Sequence, residues 1–226
     1  MKEQIVFEDN HILVINKHAG QLVQGDKTGD FSLLELLKKH IKDRDQKPGN
    51  VFLGLVHRID RPTSGLVIYA KTSKALSRFT QMIKNREIQK TYWAIVPKEM
   101  IPQRQKLVHY LKKNEKNNKA IVFPRATEGA KEAILHYEII KTLDNYLLLE
   151  INLETGRHHQ IRAQLSKIGI PIKGDLKYGS PRSNPDGGIS LHARRLDFIH
   201  PVTKEPICIT ASVPKNDKIW QVCEEI

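Results

Sequence analysis

Several features that would place a chain in a particular class are scarce here. Only two of the 226 residues are cysteines, Cys208 and Cys223. They form neither a CxxC pair nor a zinc-type spacing, so we interpret them as ordinary thiols. No apolar run reaches the roughly 20 residues of a membrane-spanning helix, and the N-terminus lacks the apolar stretch of a signal peptide. These absences favour a cytoplasmic protein without disulfides or a metal site.

Acidic residues are also few in comparison with basic ones. The chain has 25 Asp and Glu against 37 Lys and Arg, which gives a formal charge of +12 and a pI of about 9.6. A balance this basic makes nucleic acid a reasonable partner. It does not establish one, because many basic proteins bind no nucleic acid. The length suits a single domain that buries its own core.

The first fifth of the chain carries clear signals of local structure. Two apolar runs at residues 5–7 and 12–15 surround a polar turn, which predicts a β-hairpin. Ser32 and Glu35 resemble a capping box, and leucines at helical spacing follow them. This helix is predicted to end before Lys47, where a Lys-Pro-Gly-Asn cluster begins.

The rest of the chain is predicted to hold more strands than helices. Ser73 is the predicted cap of one helix, and another helix is predicted from about Thr155 to Ile168, with an exposed loop at residues 180–188. The predicted strands lie at residues 66–70, 91–96, 133–140, 146–153, 190–199 and 207–213, with a further pair in 107–123 around a basic connection at 112–119. The pattern predicts an α+β fold with a mainly antiparallel mixed sheet and flanking helices. Without internal repeats or long linkers, residues 1–226 are expected to form one catalytic domain.

The most informative segment surrounds a single acidic residue. Asp60 stands between Arg58 and Arg61, and Pro62 and Gly65 make the backbone irregular just before a buried strand. Functional residues concentrate on loops of this kind. An Asp beside Arg stays ionised, and a carboxylate can act as nucleophile or base. A structural Asp–Arg pair in a turn explains the same spacing, so spacing alone leaves both interpretations open.

Three separated motifs resemble those of one enzyme family. The string HRIDRPTSGLVIYAKT, residues 57–72, is similar to the catalytic loop of RluA-type pseudouridine synthases, with Ile59 where Leu is commoner. Residues 90–94 (KTYWA) resemble the Lys-x-Tyr-x-Ala strand of that family. Residues 156–162 (GRHHQIR) resemble its Gly-Arg-x-His-Gln-Ile/Leu-Arg motif, and residues 169–175 (GIPIKGD) follow as in the family. The resemblance extends from about residue 8 to about residue 213.

The resemblance implies a role for particular residues. Asp60 corresponds to the nucleophile, and Arg162 to the arginine that pairs with it. Tyr92 corresponds to a tyrosine that packs against the target base, and Ile161 to an apolar residue of the uracil pocket. Arg58 corresponds to a residue that holds the RNA open around the flipped uridine. The expected catalytic residues are Asp60, Arg162 and Tyr92, and the expected substrate-binding residues are Arg58, Ile161, Arg157 and His57.

The implied activity is the isomerisation of uridine to pseudouridine in ribosomal or transfer RNA, by a monomer that needs no cofactor. The family's N-terminal S4 RNA-binding domain, present in several relatives, is not expected here. Many relatives have His where this chain has Gln164, and we assign Gln164 no part in catalysis. Two alternatives remain: a non-catalytic RNA-binding module of the same fold, and an RNA N-glycosidase that releases free uracil.

Other chemistries have less support in the sequence. Adjacent residues on a helix point about 100° apart, so His158 and His159 make a poor metal pair, and no HExxH motif or Cys/His cluster accompanies them. A glycosidase needs two carboxylates facing one bond, whereas the neighbours of Asp60 are arginines. A serine hydrolase of the G-x-S-x-G type is excluded because that motif does not occur.

Overall fold

The computed structural model describes residues 2–25 and 29–224. The elements follow in the order β1 Ile5–Glu8, β2 Ile12–Lys17, α1 Leu33–Arg44, β3 Gly54–Leu55, β4 Ser64–Ala70, α2 Ser73–Lys84, β5 Gln89–Pro97, β6 Arg104–Asn114, β7 Lys119–Phe123, β8 Lys131–Thr142, β9 Tyr146–Leu153, α3 Gln160–Lys167, β10 Leu191–Ile199, β11 Pro206–Thr210 and α4 Lys218–Glu224. A short 3₁₀ turn, Leu176–Tyr178, follows α3. The predicted α+β class with a mainly antiparallel mixed sheet is confirmed.

The chain folds as two compact units. The first comprises the described residues up to 89 together with 193–217, and the second comprises 90–192 together with 218–224. Within the first unit the strand order is β1-β2-β4-β10, with β3 also on β4 and β11 on β10. Within the second unit the order is β5-β9-β8-β6-β7.

The core of the first unit lies between its sheet and α2. Every residue of β4 is buried, and its apolar side chains pack with those of β2 and α2. Phe79 of α2 meets Phe198 of β10 edge to face, with ring centroids 5.6 Å apart. The unbroken apolar run at residues 66–70 predicted this buried strand, because burial on both faces removes the alternation with polar residues.

Two helix starts show how local chemistry sets a boundary. Ser32 and Glu35 form the predicted capping box at the start of α1. The predicted cap of α2, Ser73, is wrong by one residue. Thr72 is the N-cap, and its hydroxyl accepts a hydrogen bond from the backbone N–H of Ala75. Both residue types can cap a helix, so the sequence alone does not separate them.

The helix predicted from about Thr155 to Ile168 is wrong at its start, since α3 begins at Gln160. The Gln160 side chain closes the preceding loop: its Oε1 accepts from the backbone N–H of Arg157 and from the Thr155 hydroxyl. Its Nε2 donates to the carbonyl of Ile134 on β8. His159 then takes a left-handed backbone, φ 51°, which ends the loop. The helix ends as predicted, and Gly169 follows it at φ +86°.

The basic connection predicted at residues 112–119 is shorter in the structure. Strand β6 continues to Asn114 and β7 begins at Lys119, so the turn covers residues 115–118. Asn118 has φ 50° there, a conformation that Asn tolerates better than most residues. Cys208 is exposed and Cys223 is buried. The C-terminal helix α4 was not predicted. None of the helices in residues 2–25 and 29–224 is long and apolar enough to cross a membrane.

Candidate active site

Asp60 lies in the loop between β3 and β4 and is half-buried. Its carbonyl accepts a hydrogen bond from the backbone N–H of Thr63, 3.0 Å away, which closes a tight turn. The neighbouring Ile59 is buried, with 8% of its surface exposed, and Thr63 is buried on the other side. Two buried residues thus fix the backbone from which the Asp60 carboxylate projects.

Steric constraints explain why this motif has glycine at position 65. Gly65 has φ +109°, and a Cβ at this position would stand 2.4 Å from the backbone oxygen of Ala193. Only glycine avoids both the unfavourable φ and the clash. Gly65 therefore lets the loop enter β4 directly against β10.

Arg61 ties the Asp60 loop to two other segments. Its Nε donates to the carbonyl of Gly20 at 3.0 Å, and its Nη2 pairs with the Asp30 carboxylate at 2.8 Å. In return the backbone N–H of Gly20 donates to the Arg61 carbonyl at 2.8 Å. Both arginines that flank Asp60 are exposed, and these contacts let Arg61 hold the loop in place.

His57, a predicted substrate-binding residue, is buried in the same loop. Its Nε2 accepts a hydrogen bond from the backbone N–H of Ile68 at 3.3 Å, and 8% of its surface is exposed. A ring nitrogen that accepts carries no proton, so the neutral ring is protonated at Nδ1. His57 thus helps to attach the loop to β4.

A buried lysine beside Asp60 was missed by sequence reasoning. Lys17 ends β2, has none of its surface exposed, and its ammonium donates to three backbone carbonyls, those of His18, Gln21 and Arg61, at 2.9–3.0 Å. Burial lowers the pKa of Lys17 to about 7, a shift that the Asp60 carboxylate opposes. Lys17 therefore places an amino group with a pKa near neutrality close to Asp60 and ties its loop to the segment after β2.

This burial predicts a pH dependence of stability. In the unfolded chain Lys17 titrates near 10.5 and in the folded chain near 7, so between these values the unfolded state binds more protons. The free energy of unfolding should rise with pH across this window, by up to about 1.4 kcal/mol per unit from this group. Below pH 7 both states are protonated and the contribution is constant.

The measurement is denaturant unfolding of the parent and of Lys17→Met between pH 7 and 10. We expect a steeper rise with pH in the parent than in Lys17→Met. Lys74→Met, a change at an exposed lysine of α2, is the matched control and should follow the parent. Parallel pH profiles for the parent and Lys17→Met would contradict the depressed pKa.

The remaining predicted site residues lie in the second unit. Tyr92 is on β5, opposite Ile151 of β9, and has 8% of its surface exposed. Ile161 and Arg162 are adjacent on α3, with 5% and 4% exposed. Arg157 is exposed and precedes α3, and its Nε donates to the carbonyl of Glu132 at 2.8 Å. The structure thus groups Tyr92, Ile161, Arg162 and Arg157 in one unit, and His57, Arg58 and Asp60 in the other.

Arg162 has a carboxylate partner that sequence reasoning did not assign. Its Nε and Nη2 donate to the two carboxylate oxygens of Asp175, at 2.7 and 2.9 Å. The side chains are 5% and 1% exposed, so this is a buried two-point ion pair. The predicted pairing of Arg162 with Asp60 stays a prediction.

Gln164, which replaces the histidine of many relatives, has a structural position. It is fully buried on α3, and its amide Nε2 donates to the carbonyl of Ala133 on β8 at 3.1 Å and lies 3.0 Å from Nδ1 of His109 on β6. Gln164 therefore joins α3 to two strands. Within residues 2–25 and 29–224, no group of three or more His, Cys, Asp or Glu residues is placed to hold a metal ion.

Comparison with known proteins agrees with these motifs. The family model described as RNA pseudouridylate synthase matches residues 11–167. An RNA pseudouridine synthase of Bacillus subtilis is 32% identical, over 96% of this chain and 71% of its own length. The ribosomal large subunit pseudouridine synthase D of Zymomonas mobilis is 35% identical, over 94% of this chain and 70% of its own length. The ribosomal large subunit pseudouridine synthase C of Vibrio vulnificus is 32% identical, over 100% of this chain and 70% of its own length.

A solved structure supports the same fold. Human RNA pseudouridylate synthase domain containing 4 superposes with a TM-score of 0.79 over 95% of this chain and 90% of its own, at 23% identity. The matched family model covers the Asp60 loop, the Tyr92 strand and the whole of α3. From this match and from relatives more than 30% identical, the chain belongs to the RluA-type family of RNA pseudouridine synthases.

Proposed function

We propose that this protein converts specific uridines of structured RNA to pseudouridine, with Asp60 as the nucleophile and without a cofactor. The observation that carries the proposal is the placement of Asp60. It is the acidic residue of a loop fixed by Gly65, Arg61 and Lys17, in the motif that most resembles the family. A half-buried carboxylate near the Lys17 amino group, whose protonated form attracts it, suits a group that must react as an anion.

The reaction rearranges one nucleotide. The bond between uracil N1 and ribose C1′ breaks, the uracil turns within the pocket, and C5 forms a new bond to C1′. The proton on C5 is lost and N1 gains one, so the mass does not change. The target uridine must leave the base stack, at a cost of a few kcal/mol.

The other site residues have proposed roles in this sequence of events. Arg58, exposed beside the nucleophile, would enter the space that the flipped uridine leaves. Tyr92 and Ile161, both nearly buried, would form the slot for the uracil ring. Arg162 would keep Asp60 ionised and aimed at the nucleotide. Exclusion of water matters throughout, because water would hydrolyse the opened sugar.

Ribosomal RNA is the proposed substrate class. Two of the relatives are named for the ribosomal large subunit, and transfer RNA is the alternative. We further propose that residues 1–226 act as one catalytic domain, as a monomer in the cytoplasm. The chain spans about 70% of the length of the relatives described above.

The most direct test of the activity is an assay of the product. The protein is incubated with ribosomal or transfer RNA that lacks the modification, and the digested RNA is analysed by mass spectrometry after cyanoethylation, which tags pseudouridine. We expect pseudouridine at defined positions and no free uracil. Free uracil would indicate an RNA N-glycosidase, and RNA binding without either product would indicate a binding module.

The hairpin of β6 and β7 is proposed to contact RNA phosphates. Its lysines Lys112 and Lys113 are exposed, although Lys113 also pairs with Glu115 at 2.6 Å. Each neutralised phosphate of a single strand adds about 0.7 to the slope of log affinity against log salt. Replacing both lysines with Gln should therefore weaken binding to all RNAs alike and flatten this slope.

The salt titration needs a control with the same loss of charge. Lys39 and Lys42 lie exposed on α1 in the other unit, and their replacement by Gln also removes two positive charges. A flatter slope for the hairpin variant than for this control supports the contact. Equal slopes would mean that the hairpin lysines affect binding through net charge alone.

A further inference from the structure

The guanidinium of Arg162 is held along one edge by Asp175. The paired atoms are 2.7 and 2.9 Å apart, and both side chains are almost completely buried. A guanidinium has five N–H donors in a rigid plane, and a two-point contact fixes the orientation of that plane. Asp175 therefore determines where the rest of the Arg162 guanidinium points.

Tyr178 contacts the same guanidinium through its ring. The Arg162 Cζ atom is 5.1 Å from the ring centroid, within the range of a cation–π contact. The Tyr178 hydroxyl accepts a hydrogen bond from the backbone N–H of Ala120 at 2.7 Å and lies 2.9 Å from Nδ1 of His159. The ring is thus fixed at its far end by β7 and by the residue that precedes α3.

The two residues belong to one rigid turn. The Asp175 carbonyl accepts from the backbone N–H groups of Tyr178 and Ser180, both at 3.0 Å, and the Asp175 N–H donates to Ile172. The Ser166 hydroxyl of α3 donates to the Tyr178 carbonyl at 2.6 Å. These bonds are made by the backbone of the turn and by α3, so contacts within the protein hold the carboxylate and the ring in place.

A buried ion pair is a costly way to stabilise a fold. Desolvation of two charges offsets most of their attraction, and apolar residues of similar volume often stabilise a core as well. A buried carboxylate that orients a functional cation has another use, because catalytic groups must be held within a fraction of an ångström. The contacts of Arg162 fit this second use.

We propose that Asp175 and Tyr178 are positioning residues, which fix the Arg162 guanidinium for its action on the nucleophile. The inference rests on the proposed function, in which Arg162 keeps Asp60 ionised. Neither residue is required to touch the RNA. Their replacement should therefore lower the rate of the chemical step and leave RNA affinity unchanged.

The test is a double-mutant cycle on single-turnover rates at saturating RNA. Asp175→Asn keeps the shape and removes the charge, and we expect a rate at least tenfold below the parent with an RNA Kd within twofold. In an Arg162→Met background, the same change should alter the rate by less than threefold, because the group that it positions is already gone. The free energy of unfolding should fall in Arg162→Met and recover partly when Asp175→Asn is added.

Two further variants keep the result interpretable. Asp197→Asn makes the same change in the more exposed Arg195–Asp197 pair and should leave the rate within twofold of the parent. Tyr178→Phe keeps the ring against Arg162 but loses the bonds to Ala120 and His159. It gives a second double-mutant cycle if Asp175→Asn does not fold. We expect Tyr178→Phe to lower the single-turnover rate at least threefold in the parent background and to leave it unchanged in the Arg162→Met background.

The outcomes separate this inference from the proposed function. A parent that forms pseudouridine, with rate losses from Asp175→Asn that are equal in both backgrounds, overturns the positioning role alone. An unchanged single-turnover rate for Asp175→Asn in the parent also overturns the positioning role. The same holds if a weaker RNA Kd accounts for the whole fall in rate. A parent that forms no pseudouridine on any RNA overturns the proposed function, and the positioning role with it.

Discussion

We expect the Asp60→Asn protein to bind RNA at parental strength or slightly more tightly and to form no pseudouridine above background. Asparagine keeps the size of Asp60 and most of its hydrogen bonding, but an amide is a poor nucleophile. Removal of a negative charge close to RNA phosphates should not weaken binding. The measurement pairs a binding titration with mass spectrometry of cyanoethylated, digested RNA.

This prediction has a matched control on the same unit. Asp43 is exposed on α1, and Asp43→Asn changes the net charge equally without touching the loop. It should retain the parental rate. Parental product formation by Asp60→Asn would remove Asp60 as the nucleophile. The preparation must be free of amide hydrolysis, because a few per cent of restored Asp would imitate residual activity.

The Arg162→Met protein is expected to lose turnover far more than RNA affinity. The relevant ion pair is the proposed one between Arg162 and Asp60. Breaking a buried ion pair costs about 3–5 kcal/mol, which corresponds to a fall in rate of roughly 10²- to 10³-fold or more if the whole cost raises the activation barrier. Methionine also leaves the Asp175 carboxylate buried without its partner, so the folded state should lose stability as well. Single-turnover kinetics at saturating RNA, on protein shown to be folded, separates the two effects.

Arg104 supplies the control for this change. It lies in the same unit and pairs with Glu138 at the surface, with 74% of its side chain exposed. Exposed pairs contribute little, about 0–1 kcal/mol, so Arg104→Met should turn over within twofold of the parent. An Arg162→Met rate within threefold of the parent would take Arg162 out of the mechanism.

Much of the fold was predictable because its signals are local. The capping box of Ser32 and Glu35 needs only four residues, and the buried strand β4 is marked by its own apolar run. The start of α3 was not predictable in this way. It depends on Gln160, whose side chain reaches Ile134, 26 residues earlier in the chain.

In the candidate site, too, residues within local motifs were predicted, whereas contacts between distant parts of the chain were not. Asp60, Tyr92 and Arg162 were singled out because each stands in a short string that resembles the family. Lys17 was missed since a lysine at the end of a strand normally faces solvent. Its burial depends on the Arg61 carbonyl, 44 residues away. Asp175 was within a noted motif, but its pairing with Arg162 is a contact that spacing does not reveal.

The central proposal is that this protein makes pseudouridine in cellular RNA through Asp60. The measurement that tests it most directly is a transcript-wide map of pseudouridine in a strain without this gene, complemented by the parent or by Asp60→Asn at equal protein levels. We expect one or a few uridines of ribosomal or transfer RNA to lose the modification in the deletion strain, and only the parent to restore it. Unchanged maps in all strains, or restoration by Asp60→Asn, would contradict it.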